Sequence, residues 1–104
     1  MLRAARASLH TEATSAWARA EDGLCPLDRA RLRATSSYVA SMATSVVDLA
    51  YTAGGGTSVY QTSPLQRRLR DIHALTQHIG VSRDAFGYVG TLLAGEEPDP
   101  RRPI

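Results

Sequence analysis

At 104 residues the chain is one small domain, able to bury about two-thirds of its unfolded surface at best. All twelve basic residues are arginine and they stand against ten acids, interleaved along the chain instead of gathered into a patch, which argues against nucleic acid as a partner. The single Cys25 forms no intrachain disulfide, no run approaches the ~20 apolar residues of a membrane span, and the N-terminus lacks the apolar core of a signal peptide, so the expected location is the cytoplasm and no membrane partner is expected.

The pattern predicts an all-α fold, an antiparallel helical bundle. Leu2, Ala5, Leu9, Ala13, Ala16 and Ala20 recur at helical spacing and define a first amphipathic helix with Trp17 on its flank, stopped by the Glu21-Asp22-Gly23 turn. Asp28 is the expected N-cap of the second helix, with Leu27 and Leu32 spaced as a hydrophobic staple. Leu32, Thr35, Val39, Met42, Val46, Leu49 and Ala53 follow at alternating three- and four-residue steps. That spacing suits a bundle seam on a helix of about 25 residues, or ~38 Å. Gly54 to Gly56 stop it, and 57–62 is too short and unpartnered to be a strand.

The third helix is the most informative. Ser63 is its expected cap and Pro64 fits the first helical position, where a missing N–H costs nothing. Leu65, Leu69, Ile72, Thr76 and Ile79 gather on one face as the buried stripe. The opposite side carries Arg67, Asp71, Ala74 and His78 on one line and Arg70, His73 and Gln77 on the next, with Arg67 within reach of Asp71 one turn away. Gly80 ends or bends this helix. Ser82 is the expected cap of a short final helix whose apolar contacts are Phe86, Val89, Leu92 and Leu93, with Gly87 and Gly90 open to a neighbouring backbone.

Several of these residues form an ordered set: Gly54-Gly55 after a long helix, then Ser63-Pro64-Leu65, Arg70-Asp71 and Gln77-His78. Together with the two preceding helices, this set resembles the C-terminal helical domain of the acyl-CoA dehydrogenase superfamily, and most closely its reduced-flavin, two-component monooxygenase branch. The resemblance covers nearly the whole chain. It implies three helices of a four-helix bundle plus the short final helix, as a partial domain over 1–95 lacking the first helix, followed by a loosely ordered tail at 96–104.

The resemblance also implies a chemistry. The superfamily's dehydrogenases hold a catalytic glutamate where this chain has Ile79, and isoleucine cannot accept a proton from a substrate carbon. His78, one position earlier, matches the histidine that the monooxygenase branch sets beside the flavin, which assigns it to peroxyflavin stabilisation as the catalytic residue. Gly54 and Gly55 are then expected to approach a flavin nucleotide, FMN or FAD, of a neighbouring subunit. Arg70, Asp71 and Gln77 are expected to shape that site or hold subunits together. Implied partners are reduced flavin, a small organic substrate, and either further copies of the chain, four in the family, or a chain supplying the missing domains. By this reading the chain is a truncated or split member, or a mis-started frame, and does not catalyse alone.

Plainer readings stand beside these. Arg67 with Asp71 is an ordinary surface pair worth about 0.3 to 0.5 kcal/mol, and the glycines are first of all a helix stop. His73 and His78 stand five apart, about 140° around a helix, which does not make a zinc pair, and no metal site is expected. No Gly-x-Ser-x-Gly elbow supports hydrolase chemistry. Two alternatives to the monooxygenase remain open: an acyl-CoA dehydrogenase domain with its base supplied from elsewhere, and a non-catalytic helical assembly module.

Overall fold

The computed structural model describes residues 1–101; residues 102–104 of the expected tail lie outside the described residues. Four α-helices follow in chain order, α1 (Leu2–Arg19), α2 (Pro26–Ala53), α3 (Pro64–Leu75) and α4 (Asp84–Leu93), and no strand occurs among the described residues. Short 3-10 segments link them at Ala20–Asp22, Gly55–Val59 and Ile79–Val81. The all-α bundle expected from the sequence is therefore the fold.

The long helix α2 is the centre of the molecule, and α1, α3 and α4 each pack on it. Its start lies earlier than the sequence suggested. Cys25 is the N-cap, Pro26 takes the first helical position, and Asp28 sits three residues in, completing a capping box by accepting the Cys25 backbone N–H at 3.2 Å. The same carboxylate accepts the Cys25 thiol at 3.2 Å and Arg19 of α1 at 2.6 Å, so one acid closes the cap of α2 and ties α1 to it.

After α2 the chain returns along it. Gly54 sits against Leu65 in the first turn of α3, His73 in the last turn of α3 pairs with Asp48, and beyond α3 the carbonyls of Ile79 and Ser82 reach Arg33 and Ser37. Thus α3 and the segment that follows run antiparallel to α2. Ser63 caps α3 by accepting the Leu65 N–H at 3.3 Å, and Pro64 is its first residue, both as the sequence indicated.

The helix ends sooner than expected, however. Its last residue is Leu75; Thr76 and Gln77 form a turn, and His78 is extended. The predicted buried stripe holds for Leu65, Leu69, Ile72 and Thr76, which are half-buried, and fails for Ile79, which is 66% exposed.

The core is built from small side chains. Ala5, Ala16, Ala30, Ala40 and Ala85 are its buried hydrophobic residues, and the largest fully buried side chains are Ser37 and Ser58. Small residues let helix backbones approach closely, but they contribute little buried apolar area, at roughly 25 cal/mol per Å². The larger apolar residues of the predicted seams sit half-buried or exposed: Leu2 and Leu9 on α1, Leu49 on α2, and Trp17 at 83% exposure. On α4 the inward line is Ala85, Val89 and Leu92, while Phe86 and Leu93, expected as contacts, point outward. Ser82 accepts the Asp84 N–H at 3.3 Å and caps α4 in practice. Residues 96–101 form no helix; Pro98, Asp99 and Arg101 lie across α4, where Arg101 pairs with Asp99 at 3.1 Å.

Candidate functional site

His78 stands off the helix that the sequence assigned it to. It is the N-cap of the Ile79–Val81 segment, with φ −75° and ψ 132°, and its own Nδ1 accepts the Gly80 N–H at 2.9 Å. An acceptor at Nδ1 fixes the neutral ring as the Nε2–H tautomer. The ring rests over Gly80, where a Cβ would come within 2.8 Å of Nδ1 and 3.1 Å of Cε1. Nε2 has no partner among the described residues and the side chain is exposed, so His78 presents a single outward N–H donor.

Beside it, Ile79, Ala85, Gly87, Tyr88 and Thr91 line a cleft of about 450 Å³, closed at its edges by Arg33 of α2 and by Pro98, Asp99 and Arg101. A cavity of this size holds a small ligand. Its walls mix one aromatic ring and aliphatic surface with two arginines, Arg33 and Arg101, and two acids, Asp84 and Asp99.

The other expected site residues spread along α3 and its ends. Arg70 is exposed and has no partner among the described residues; Asp71 pairs with Arg67 at 3.7 Å, as the spacing indicated, with both groups largely in solvent. Gln77 sits in the turn after α3 and donates to Thr76 Oγ1 at 3.1 Å. The polar stripes predicted for one continuous helix therefore break at Leu75. Gly54 has a local reason to be glycine: a Cβ there would strike the Ser58 hydroxyl and come within 2.7 Å of Leu65 Cδ1, and Ser58 is itself fully buried, donating to the Tyr51 carbonyl at 2.8 Å. Gly55 is left-handed at φ +60° and nothing fills the space beside it. Gly54 meets the first turn of α3 and His78 follows the last, so a helix of roughly 18 Å separates them. One chain does not bring the two glycines and His78 together.

Sequence reasoning missed three participants. Asp48 bonds His73 Nε2 at 2.8 Å; its signal was a lone acid in the apolar run Ser45-Val46-Val47-Asp48-Leu49. Arg33 and Ser37, which hold the segment after His78 from α2, carried no signal at all. Among the described residues there is no group of three metal-ligating side chains, and no helix is long and apolar enough to cross a membrane.

A central long helix, a shorter antiparallel one begun by Ser63-Pro64, and a histidine turn before a final short helix thus follow in chain order. Residues 1–83 match the family described as acyl-CoA dehydrogenase, C-terminal domain, and the chain belongs to that family. Among relatives, it is similar to indole-3-acetate monooxygenase of Pseudomonas putida, 32% identical over 101 residues, which cover 95% of this chain and 26% of that protein. It is also similar to the oxygenase component of p-hydroxyphenylacetate 3-hydroxylase of Acinetobacter baumannii, 36% identical over 69 residues, 65% of this chain and 16% of that protein. The chain thus spans about a quarter or less of the relatives it matches.

Proposed function

We propose that this chain is the C-terminal helical domain of a cytoplasmic, reduced-flavin-dependent monooxygenase, with residues 1–95 as the domain and His78 as the group it offers to the flavin. One observation carries the reading: the outward Nε2–H of His78, its tautomer fixed by the Gly80 N–H and its donor otherwise unused. A reduced flavin, FMN or FAD, would supply the activation of O2 and the transfer of one oxygen atom to substrate. The protein's part is binding, orientation and exclusion of water.

The residues fit such a group as one wall of its site. His78 donates a hydrogen bond towards developing negative charge, and such a bond is strong only where water is kept out. Because His78 and Gly55 are both exposed, further polypeptide must close over them. Gly54 and Gly55 lie a helix length away, so they suit the more distant part of the nucleotide or the flavin of a neighbouring copy, in a homo-oligomer or against the rest of a longer chain. Arg70, Asp71 and Gln77 are among the exposed groups between these ends, available to the flavin or to that partner. The cleft beside Ile79 is sized for a small substrate, and relatives named for indole-3-acetate and p-hydroxyphenylacetate favour an aromatic acid. The dehydrogenase alternative lacks its proton acceptor at Ile79.

The test is His78→Ala in the complete protein that carries this domain, reading product formed and hydrogen peroxide released per reduced flavin consumed. The expected result is a fall in product yield of about a hundredfold, the size of effect seen when one oriented donor is removed, with peroxide rising in its place. Unchanged coupling would remove His78 from the site and leave the non-catalytic helical module as the better reading.

A further inference from the structure

Between the end of α3 and the start of α4 the chain has eight residues in which to turn, and their placement is not decided by their own hydrogen bonds alone. Within the link, the His78 N–H donates to the Leu75 carbonyl at 3.0 Å, Val81 to His78 at 3.0 Å and Ser82 to Ile79 at 3.2 Å. Local bonds of this kind make a single 3-10 turn, which is short and readily lost. Two side chains of α2 hold it from outside. Arg33 Nη2 donates to the Ile79 carbonyl at 2.8 Å, and Ser37 Oγ lies 2.7 Å from the Ser82 carbonyl and 3.0 Å from the Arg33 carbonyl.

The geometry of this hold is specific. Arg33 and Ser37 are one helical turn apart and so share a face of α2, while the carbonyls they grip are three residues apart and bracket the 3-10 turn. Ser37 is 1% exposed, so its hydroxyl bonds in the interior and not in water. The Arg33 Nε is buried and unpartnered, and among the described residues the Ile79 carbonyl is the guanidinium's one acceptor. Between the two gripped carbonyls lies Gly80, whose N–H is aimed at His78 Nδ1 and whose missing side chain is where the imidazole rests. Rolling the turn on α2 would swing that N–H away and free the ring to take its other tautomer.

We infer that Arg33 and Ser37 are positioning residues for His78: they lock the 79–82 turn onto α2, and the locked turn fixes the ring's orientation and keeps its proton on Nε2. The inference rests on the reading that His78 is the group offered to the flavin, but its geometry stands without the cofactor. Ser37 is buried and does not line the cleft, whereas Arg33 also borders it, so the test reads the state of His78 itself and not turnover.

The full 104-residue chain is the material for the test. With 15N-labelled histidine at about pH 8, where an ordinary imidazole is neutral, the ring nitrogens report the tautomer of His78. Wild type is expected wholly as Nε2–H. Arg33→Met, which keeps length and loses the donor, and Ser37→Ala, which loses only the hydroxyl, are each expected to give a mixture of tautomers. Each should also speed exchange of the Gly80 amide by about tenfold or more, with α3 amides unchanged. Arg33→Lys keeps a donor and should restore most of the wild-type signature, a rescue that lost packing alone would not predict. Gly80→Ala displaces the ring without touching α2 and marks the signal of an unseated imidazole.

A single Nε2–H tautomer and an unchanged Gly80 amide in both Arg33→Met and Ser37→Ala would overturn the inference. If the clamp variants unseat His78 while the complete protein keeps its coupling, the positioning holds and the flavin role of His78 is what fails.

Discussion

Asp28 shows how much a single residue can hold in a protein with so small a core. Its carboxylate accepts the Cys25 thiol, the Cys25 N–H and the Arg19 guanidinium, and so joins the cap of α2 to the end of α1. The thiol bond foremost, then the Arg19 bond, hold its carboxyl below the usual carboxylate value, against the opposing effect of burial. A depressed folded-state value means that the folded protein binds the proton less readily than the unfolded chain does. The stabilisation is therefore complete above about pH 4, the unfolded value, and is lost as pH falls through the lower folded value. Asp28→Asn should show its full stability deficit in urea midpoints at neutral pH, and the gap to wild type should close in acid. An equal gap at every pH would place Asp28's contribution in shape and not in charge. At the same scale, the pairing of His73 with Asp48 ties α3 to α2 in a half-exposed setting, where ion pairs contribute little.

The elements differ in why they contain glycine, and substitution separates the reasons. Gly54 ends α2 where the backbone meets Ser58 and Leu65, so Gly54→Ala forces a methyl into occupied space and should cost about 1 to 3 kcal/mol in denaturant unfolding. Gly87 and Gly90 sit inside α4 with nothing within 4 Å of an added Cβ, so no neighbouring backbone among the described residues uses them. Alanine at either position should stabilise the chain by about 1 kcal/mol, the difference in helix propensity, as read from the shift in urea midpoint. If Gly90→Ala instead destabilised the isolated chain, α4 would have a packing partner in solution.

The whole molecule exposes more surface than its size requires. Its accessible surface is 7537 Å², against roughly 5700 Å² for a compact monomer of this mass, and its radius of gyration is 16.7 Å, against about 13 Å. The difference, on the order of 1800 Å², has the scale of a specific interface and coincides with apolar side chains left outward on every helix. Sedimentation velocity of the isolated chain should therefore show association that grows with concentration, with an unfolding midpoint that rises in parallel. A compact, concentration-independent monomer would contradict it.

The sequence by itself determined the helices and their starts wherever the signal was local. Ser63-Pro64 caps α3 because a hydroxyl and a fixed φ act within one turn, and Arg67 reaches Asp71 because helical geometry sets that distance. The ordered glycine, Ser-Pro, Arg-Asp and Gln-His set also pointed to the family whose description residues 1–83 match. The start of α2 was misread by three residues because Asp28 is an equally good N-cap or third residue, and only Cys25 and Arg19 in space distinguish the two. The tertiary structure alone decided the state of His78. Periodicity carried the third helix on to Gly80, since Thr76 and Gln77 do not forbid it. The link carbonyls at 79 and 82 instead meet donors from Arg33 and Ser37, more than forty residues away in sequence. A hydrogen bond satisfied across that separation leaves no periodic trace along the chain, so the sequence supplied the histidine and the packing on α2 set its orientation and its proton.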